Sequence, residues 1–373
     1  MESLLLNEDE TMLRDAARGF LDASAPVTAF RKVRDEGTGF DRGLWAEMAQ
    51  MGWAGVLVPE NQGGADMGHR AAGILAEEMG KTLVASPFIS SAVIAATTLR
   101  AAASDRLSGI ADGSTIYALA IDEGAKFNPA GVAMEAIQSG NAFKLSGKKA
   151  FVAEGRNANR VLVLARTAGA AGEAEGLTLF DLDADRAGLT RDAIAAIDGR
   201  DYARMNFDNV DATGDDVVGE VGGGLAALQQ GLNAGQAAVA AELGGVSAGA
   251  FGMTAQYLKD RKQFGVLIGT FQALQHRAAH LWAEIEVTAS AIANAGRMLD
   301  THPNDAAVAV SLAKARATKT AKLAVSEGVQ MHGGIGMTDE FDMGFFMKRA
   351  RVGAEWFGDY GYHAAIVAAA RGF

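Results

Sequence analysis

The apolar residues of this chain change period twice. From Asn7 to about Arg100 they recur at helical spacing, as in Met12, Ala16 and Phe20, or in Leu44, Met48 and Met51. The loop GWAGVLVPENQGG, 52–64, interrupts that pattern, and ILAEEMGKTL resumes it. Between Tyr117 and about Asp215 the texture shortens to the β-prone runs YALAI, FKLSGKKAFVA, RVLVLART, LTLFDLD and ARMNFDNV. Asn141, Gly147 and Gly155 punctuate them as turn residues, and AGAAGEAEG, 168–176, reads as an exposed hairpin tip. After the glycine-rich VGEVGGG, 218–224, helical spacing returns almost to Phe373. Strands this close together, with no helix between them, predict an antiparallel sheet or barrel. The last segment is long enough for about four long helices, joined at THPND (301–305) and HGGIG (332–336), which suffices for a bundle. The expected class is mixed α and β: an N-terminal helical domain over 1–116, a central antiparallel β domain over 117–217 and a C-terminal helical bundle over 218–373.

Composition narrows the chemistry. With 373 residues and 49% hydrophobic content the chain buries a large core. Cysteine is absent, which removes disulfides, thiolate metal sites and a cysteine nucleophile, and fits a reducing cytoplasm. A net charge of −11 opposes non-specific attraction to nucleic acid or anionic membranes, so a phosphate-bearing ligand needs a local basic spot. The start, MESLLLNEDETMLRD, meets acidic residues before any apolar core of signal-peptide length, and neither secretion nor a transit peptide is expected. Two uncharged stretches, Thr82 to Leu99 and Val221 to Ala241, carry too many hydroxyl, amide and glycine residues for a bilayer centre and read as buried helix and turn.

Two segments carry candidate chemistry. DRKQFGVLIGTFQALQH, 260–276, sets Arg261 and Gln263 before a Phe264-Gly265 break, with a helix expected from near Thr270. An arginine at such a break can pair with phosphate, the break frees backbone N–H groups, and Phe264 offers a stacking surface; a surface arginine at an ordinary helix end is the simpler alternative. QMHGGIGMTDE, 330–340, ends one helix at Gly333 and Gly334 and allows a ligand close to the backbone, or is a plain C-cap turn. It matches neither the dinucleotide fingerprint nor a P-loop. His276 and His280 lack the glutamate of a zinc protease motif, no serine sits in a G-x-S-x-G elbow, and the Lys148-Lys149 pair reads as a solvated strand end.

Together GWAGVLVPENQGG, G-x-K-x-F-V at 147–152, FDNV at 207–210, RKQFG with FQALQH, and QMHGGIG resemble the acyl-CoA dehydrogenase family, in the same order and over nearly the whole chain. The resemblance implies a helical domain, a β domain and a four-helix bundle, assembled as a tetramer with FAD at subunit interfaces. It assigns Arg261, Gln263, Phe264, Gln330, Gly333 and Gly334 to the ADP half of FAD contributed to a neighbouring subunit. The reaction implied is α,β-dehydrogenation of an acyl-CoA: a glutamate removes the α proton, the β hydrogen leaves as hydride to the flavin, and an electron-transfer flavoprotein accepts the electrons.

The resemblance fails at two places. The family's flavin-side T-E-P-x-x-G-S-D falls at Ala120, Ile121 and Asp122 onward and is unmatched; W-I-T becomes Phe151, Val152 and Ala153, leaving Phe151 as the expected ring stacker. The usual base position aligns with Gly358, and the alternative one on the first bundle helix with Gly235. Asp359 and Glu242 are the nearest carboxylates, candidates for an atypical base, or else a helix N-cap and an arginine-paired structural acid. Some bacterial relatives are heteromeric tetramers in which one kind of subunit keeps the flavin-ring contacts and base and the other mainly the ADP-side motifs, and this chain resembles the second kind. Three functions therefore stand open: an acyl-CoA dehydrogenase, homotetrameric or mixed; a non-catalytic subunit completing a partner's FAD site; and a flavin oxidase or monooxygenase on the same fold.

Overall fold

The computed structural model describes residues 4–373. Six helices come first: α1 (Glu8–Ser24), α2 (Val27–Glu36), α3 (Arg42–Gln50), α4 (Gly68–Thr82), α5 (Ala96–Ala101) and α6 (Ser108–Ala111). Helix α1 opens with a reciprocal capping box between Asn7 and Glu10, and Asp41 caps α3 through the N–H groups of Gly43 and Leu44. The uncharged stretch before α5 forms a π-helical segment, Phe88–Ala95, buried at every residue, as the sequence suggests. Among the described residues no helix is long and apolar enough to cross a membrane.

Eight strands follow: β1 (Tyr117–Ala120), β2 (Glu135–Ser139), β3 (Ala142–Ala153), β4 (Arg160–Arg166), β5 (Leu177–Asp183), β6 (Leu189–Ala195), β7 (Asp201–Thr213) and β8 (Val217–Val218). They form one sheet in the order β6-β7-β3-β2-β4-β5-β8, with β1 also paired to β4. Most pairings are antiparallel, but β1 runs parallel to β4 over four residue pairs, and β2 meets β4 in parallel at Glu135–Arg166. The sheet is therefore mixed where a purely antiparallel one is expected from strand spacing. Spacing along the chain reports neighbours in sequence, whereas β1 pairs with a strand some forty residues further on. The runs β2 and β6 escape a sequence reading because most of their residues are exposed or half-buried. Val161 to Ala165 on β4, by contrast, are all fully buried.

The C-terminal part holds α7 (Gly224–Asp260), a two-stranded hairpin of β9 (Lys262–Gln263) and β10 (Val266–Leu267), α8 (Gln272–Thr301), α9 (Ala307–His332), α10 (Met343–Glu355) and α11 (Tyr360–Ala370). Three are long; the fourth expected helix is two, α10 and α11, split at 356–359. Phe357 and Gly358 take φ of +56° and +109° there, which no helix tolerates, and Asp359 caps a new start. The chain forms two compact units, one of residues 1–31, 73–84 and 236–373, the other of 32–72 and 85–235.

Candidate functional site

Arg261, Gln263 and Phe264 sit together on the hairpin that follows α7. Gln263 pairs with Val266, so the connection is the two residues Phe264-Gly265, with φ of +54° and +81°. Two consecutive positive φ values define a type I′ turn, whose geometry suits the strand twist but penalises a phenylalanine. Phe264 is nevertheless 92% exposed, touching Phe271 edge-on at 6.4 Å. The hairpin thus holds a solvated aromatic ring on a strained backbone beside an exposed arginine.

The second segment lies at the end of α9. Gln330, Gly333 and Gly334 are exposed, Gly333 has φ +65°, and a Cβ on either glycine would meet nothing within 4 Å. The buried trio Leu258, Ile268 and Met331 links the foot of α7, the hairpin and the end of α9, so the structure brings the two distant motifs into one region of the first unit.

In the second unit, Phe151 lies in β3 at a register shift between Lys149 and Val152, with φ +48° and its side chain 54% exposed. The Lys148-Lys149 pair corrects its sequence reading. Lys148 is exposed, but strand alternation turns Lys149 inward, to 1% exposure. Its Nζ lies 2.7 Å from Glu123 Oε1 and donates to the Ile121 carbonyl at 3.2 Å. Burial pulls Lys149 down to about 8, opposed by Glu123, and raises Asp122 to about 6, opposed by Lys149. Burial also works against ionisation of Glu123. The Lys149 ammonium and the backbone N–H groups of Ala133 and Met134 outweigh it and hold the carboxyl below its ordinary value. Thus an internal ion pair occupies the segment where the flavin-side motif would fall. Nothing in the local sequence announces it, since Glu123 and Lys149 lie on different elements.

Both candidate bases have structural employment in the first unit. Glu242 is 4% exposed and accepts from Arg349 at 2.8 Å; Arg349 also donates to the carbonyls of Val84 and Leu83 at 3.0 and 3.1 Å. Asp359 caps α11, accepting from the Tyr362 N–H at 2.9 Å.

The turn at 356–359 is held by buried donors. Gln236 Nε2 and His363 Nε2 donate to the Phe357 carbonyl at 3.2 and 3.1 Å, and Lys314 Nζ donates to the Gly358 carbonyl at 3.1 Å. Burial and the nearby Lys314 lower His363 to about 4, so its ring is neutral; with Nε2 donating, Nδ1 takes the Ser311 hydroxyl at 3.2 Å. Burial likewise brings Lys314 down to about 7, against the attraction of Glu355 and Asp359. A Cβ at Gly358 would lie 2.6 Å from Tyr362 Cδ1 and 2.8 Å from His363 Nε2. Position 358 therefore has no room for a side chain. Sequence reasoning finds the glycine but not Lys314 or His363, which lie 44 and 5 positions away.

Comparison with known proteins agrees with this architecture. The acyl-CoA dehydrogenase N-terminal domain matches residues 7–108, and the C-terminal domain residues 222–371. Acyl-CoA dehydrogenase FadE12 of Mycobacterium tuberculosis is 31% identical over 83% of this chain and 82% of its own length. A probable short/branched chain specific acyl-CoA dehydrogenase of Dictyostelium discoideum is 29% identical over 93% of this chain and 86% of its own. Among solved structures, a variant of the Tcur3481-Tcur3483 steroid ACAD superposes with a TM-score of 0.86 at 29% identity, covering 98% of both chains. The chain belongs to the acyl-CoA dehydrogenase family of flavoprotein oxidoreductases.

Proposed function

We propose that this chain is one of two kinds of subunit in a mixed FAD-dependent acyl-CoA dehydrogenase, and that it supplies the ADP-side contacts of a shared cofactor site while a partner chain supplies the base. The reaction of the assembly is conversion of an acyl-CoA thioester to the trans-2-enoyl-CoA, with an electron-transfer flavoprotein as acceptor. The observation that carries this reading is the sealed turn at Gly358, where family members present a glutamate.

The residues fit one half of FAD and not the other. Arg261 and Gln263 are solvated, Phe264 offers a ring face, and Gly333 and Gly334 leave open space above the backbone, which suits a planar base and two phosphates. On the ring side Phe151 is exposed, but the adjoining Glu123 is tied to Lys149, and Val152 and Ala153 offer no hydroxyl. When bound, FAD supplies the two-electron acceptor for the β hydrogen. This chain's own share is to fix the cofactor's phosphates through the Arg261 guanidinium and to exclude water with Phe264. A carboxylate must reach the α proton within hydrogen-bond distance, and Glu242 and Asp359 are both committed to bonds that hold the fold.

Flavin content tests this directly. The chain expressed alone should fold and carry little FAD, and co-expression with a related chain that keeps the base should yield a complex holding FAD. Near-stoichiometric flavin in the chain alone, bleached by an acyl-CoA, would establish a self-sufficient enzyme and overturn the proposal. The relatives suggest steroid and short or branched-chain acyl-CoA thioesters as the first substrates to try on the complex.

A further inference from the structure

We infer that His332 is a positioning residue whose imidazole clasps the hairpin of Arg261–Phe264 and the turn of Gly333–Gly334 into a single surface for the adenosine diphosphate half of FAD. The inference rests on the ADP-side reading of those residues and names what holds them together.

His332 is the last residue of α9, directly before Gly333, and is 4% exposed. Its ring packs against two others, tilted, with centroids 4.4 Å from Tyr257 and 4.5 Å from Phe341; those two meet edge-on at 6.3 Å, so the three close a triangle. Each of the other two rings belongs to a different arm of the site. Tyr257 stands one turn before Arg261 on α7, and its carbonyl receives the Arg261 N–H at 2.9 Å; the Arg261 carbonyl then receives the Ile268 N–H that closes the hairpin. Phe341 follows the 3₁₀ turn Gly333–Met337 on the way into α10. The imidazole thus sits at the corner of a three-ring cluster, touching the support of the hairpin through Tyr257 and the exit of the glycine turn through Phe341.

Polar contacts set the ring's angle. Nδ1 lies 2.7 Å from the Gly328 carbonyl, which only accepts, so Nδ1 carries the proton and Nε2 is the bare nitrogen. Nε2 is buried and has no hydrogen-bond partner among the described residues. Burial lowers the pKa, against the Gly328 bond, and keeps the ring neutral. A buried nitrogen left unsatisfied breaks a local rule of stable packing, and such breaks mark functional constraint more often than stability. Glycine at 336 completes the fit: a Cβ there would come within 3.0 Å of the His332 Cβ. The Leu258, Ile268 and Met331 cluster backs the same junction with apolar contact.

The test uses the full chain and, in parallel, the FAD-holding complex. In the chain alone, His332→Ala should speed amide exchange in 261–268 and 333–337 together, while His332→Phe, which keeps a three-ring cluster, should leave both near wild type. In the complex, His332→Ala should weaken FAD retention at least about tenfold and His332→Phe less than about threefold, by fluorescence of released flavin on dilution. Val310→Ala is the stability control: it lies on α9 about 33 Å from His332 at 1.5 Å per residue and should lower the melting temperature without moving FAD retention. Exchange confined to 333–337 in His332→Ala, or FAD retention within twofold of wild type, would overturn the clasp. Should His332→Ala fail to fold, His332→Gln replaces it and must lose FAD where His332→Phe keeps it. Arg261→Ala separates the two ideas: retention unchanged in that variant refutes the ADP-side reading itself, whereas loss in Arg261→Ala with retention in His332→Ala refutes only the clasp.

Discussion

Replacing Gly358 by alanine measures how firmly the turn between α10 and α11 is closed. At φ +109° an L-residue costs about 1–3 kcal/mol in backbone strain. The new Cβ would also stand 2.6 Å from Tyr362 Cδ1 and 2.8 Å from His363 Nε2. Tyr362 is 36% exposed and can swing outward, but His363 is fully buried and bonded at both ring nitrogens, so the histidine is the wall. Overpacking against such a wall costs about 1–3 kcal/mol, which brings the whole change to about 4 kcal/mol. Against total stabilities of about 5–15 kcal/mol that is a large fraction, and it corresponds to a melting point lower by about 5 °C for a chain of 373 residues. Thermal and urea unfolding of Gly358→Ala should show it. In a His363→Ala background the same change should cost less, by about 1–2 kcal/mol of coupling, because one contact is gone. Gly358→Glu should be destabilised likewise and gain no dehydrogenation by the chain alone. A melting shift below about 2 °C, strict additivity in the double variant, or base activity in Gly358→Glu would refute the reasoning.

Other outcomes follow from the same geometry. Arg261→Ala should lower FAD content in the assembled complex, read from the visible spectrum after denaturation, because a planar and permanently charged phosphate partner is lost. Phe151→Ala should leave the flavin spectrum of the complex unchanged; a shifted band would mean that this chain contacts the ring. Glu242→Gln should destabilise by about 3–5 kcal/mol in urea unfolding, since it strands the buried Arg349 cation, and a variant that unfolds like wild type would release Glu242 from its structural role. His363 is held neutral, its pKa depressed to about 4, so its contribution is complete above its ordinary value and is lost as pH falls toward 4. Between pH 7.5 and 4.5, wild type should lose about 2–3 kcal/mol more than His363→Gln, and equal losses would contradict the assignment.

What the sequence discloses and what it hides divide along a physical line. Periodicity finds α1 because it has an apolar stripe; α7, buried at every residue over 231–243, and α8 and α9 show as long stretches without strand or turn signals, and β4 and β5 as continuous apolar runs. It misses β2 and β6, whose residues face solvent, and the parallel pairing of β1, which depends on a strand far along the chain. The hairpin at Arg261 and the turn at Gly333 are visible as breaks, since glycine marks positive φ whatever surrounds it. Lys149, Lys314, His332 and His363 are invisible as functional residues. Each acquires its role from a partner on another element, and a lysine facing a carboxylate is indistinguishable in sequence from a solvated one.

The two departures from the family pattern share one physical character. At the ring side, Glu123 and Lys149 satisfy each other; at the base turn, Gln236, Lys314 and His363 satisfy the carbonyls of 357 and 358. In both places polar groups that could face a ligand are spent on internal bonds, and removing Lys314 would cost the buried Gly358 carbonyl its donor, at about 1–3 kcal/mol. At the ADP side the reverse holds: Arg261, Gln263, Gln330 and the two glycines remain solvated, and Phe264 keeps a strained backbone with its ring in water. A chain that had merely decayed would leave cavities and unpaired groups where the chemistry was. Bonded polar groups at the base turn and at Glu123–Lys149, with solvated ones around Arg261 and Gly333, fit the proposed half-site, in which the base comes from a partner chain.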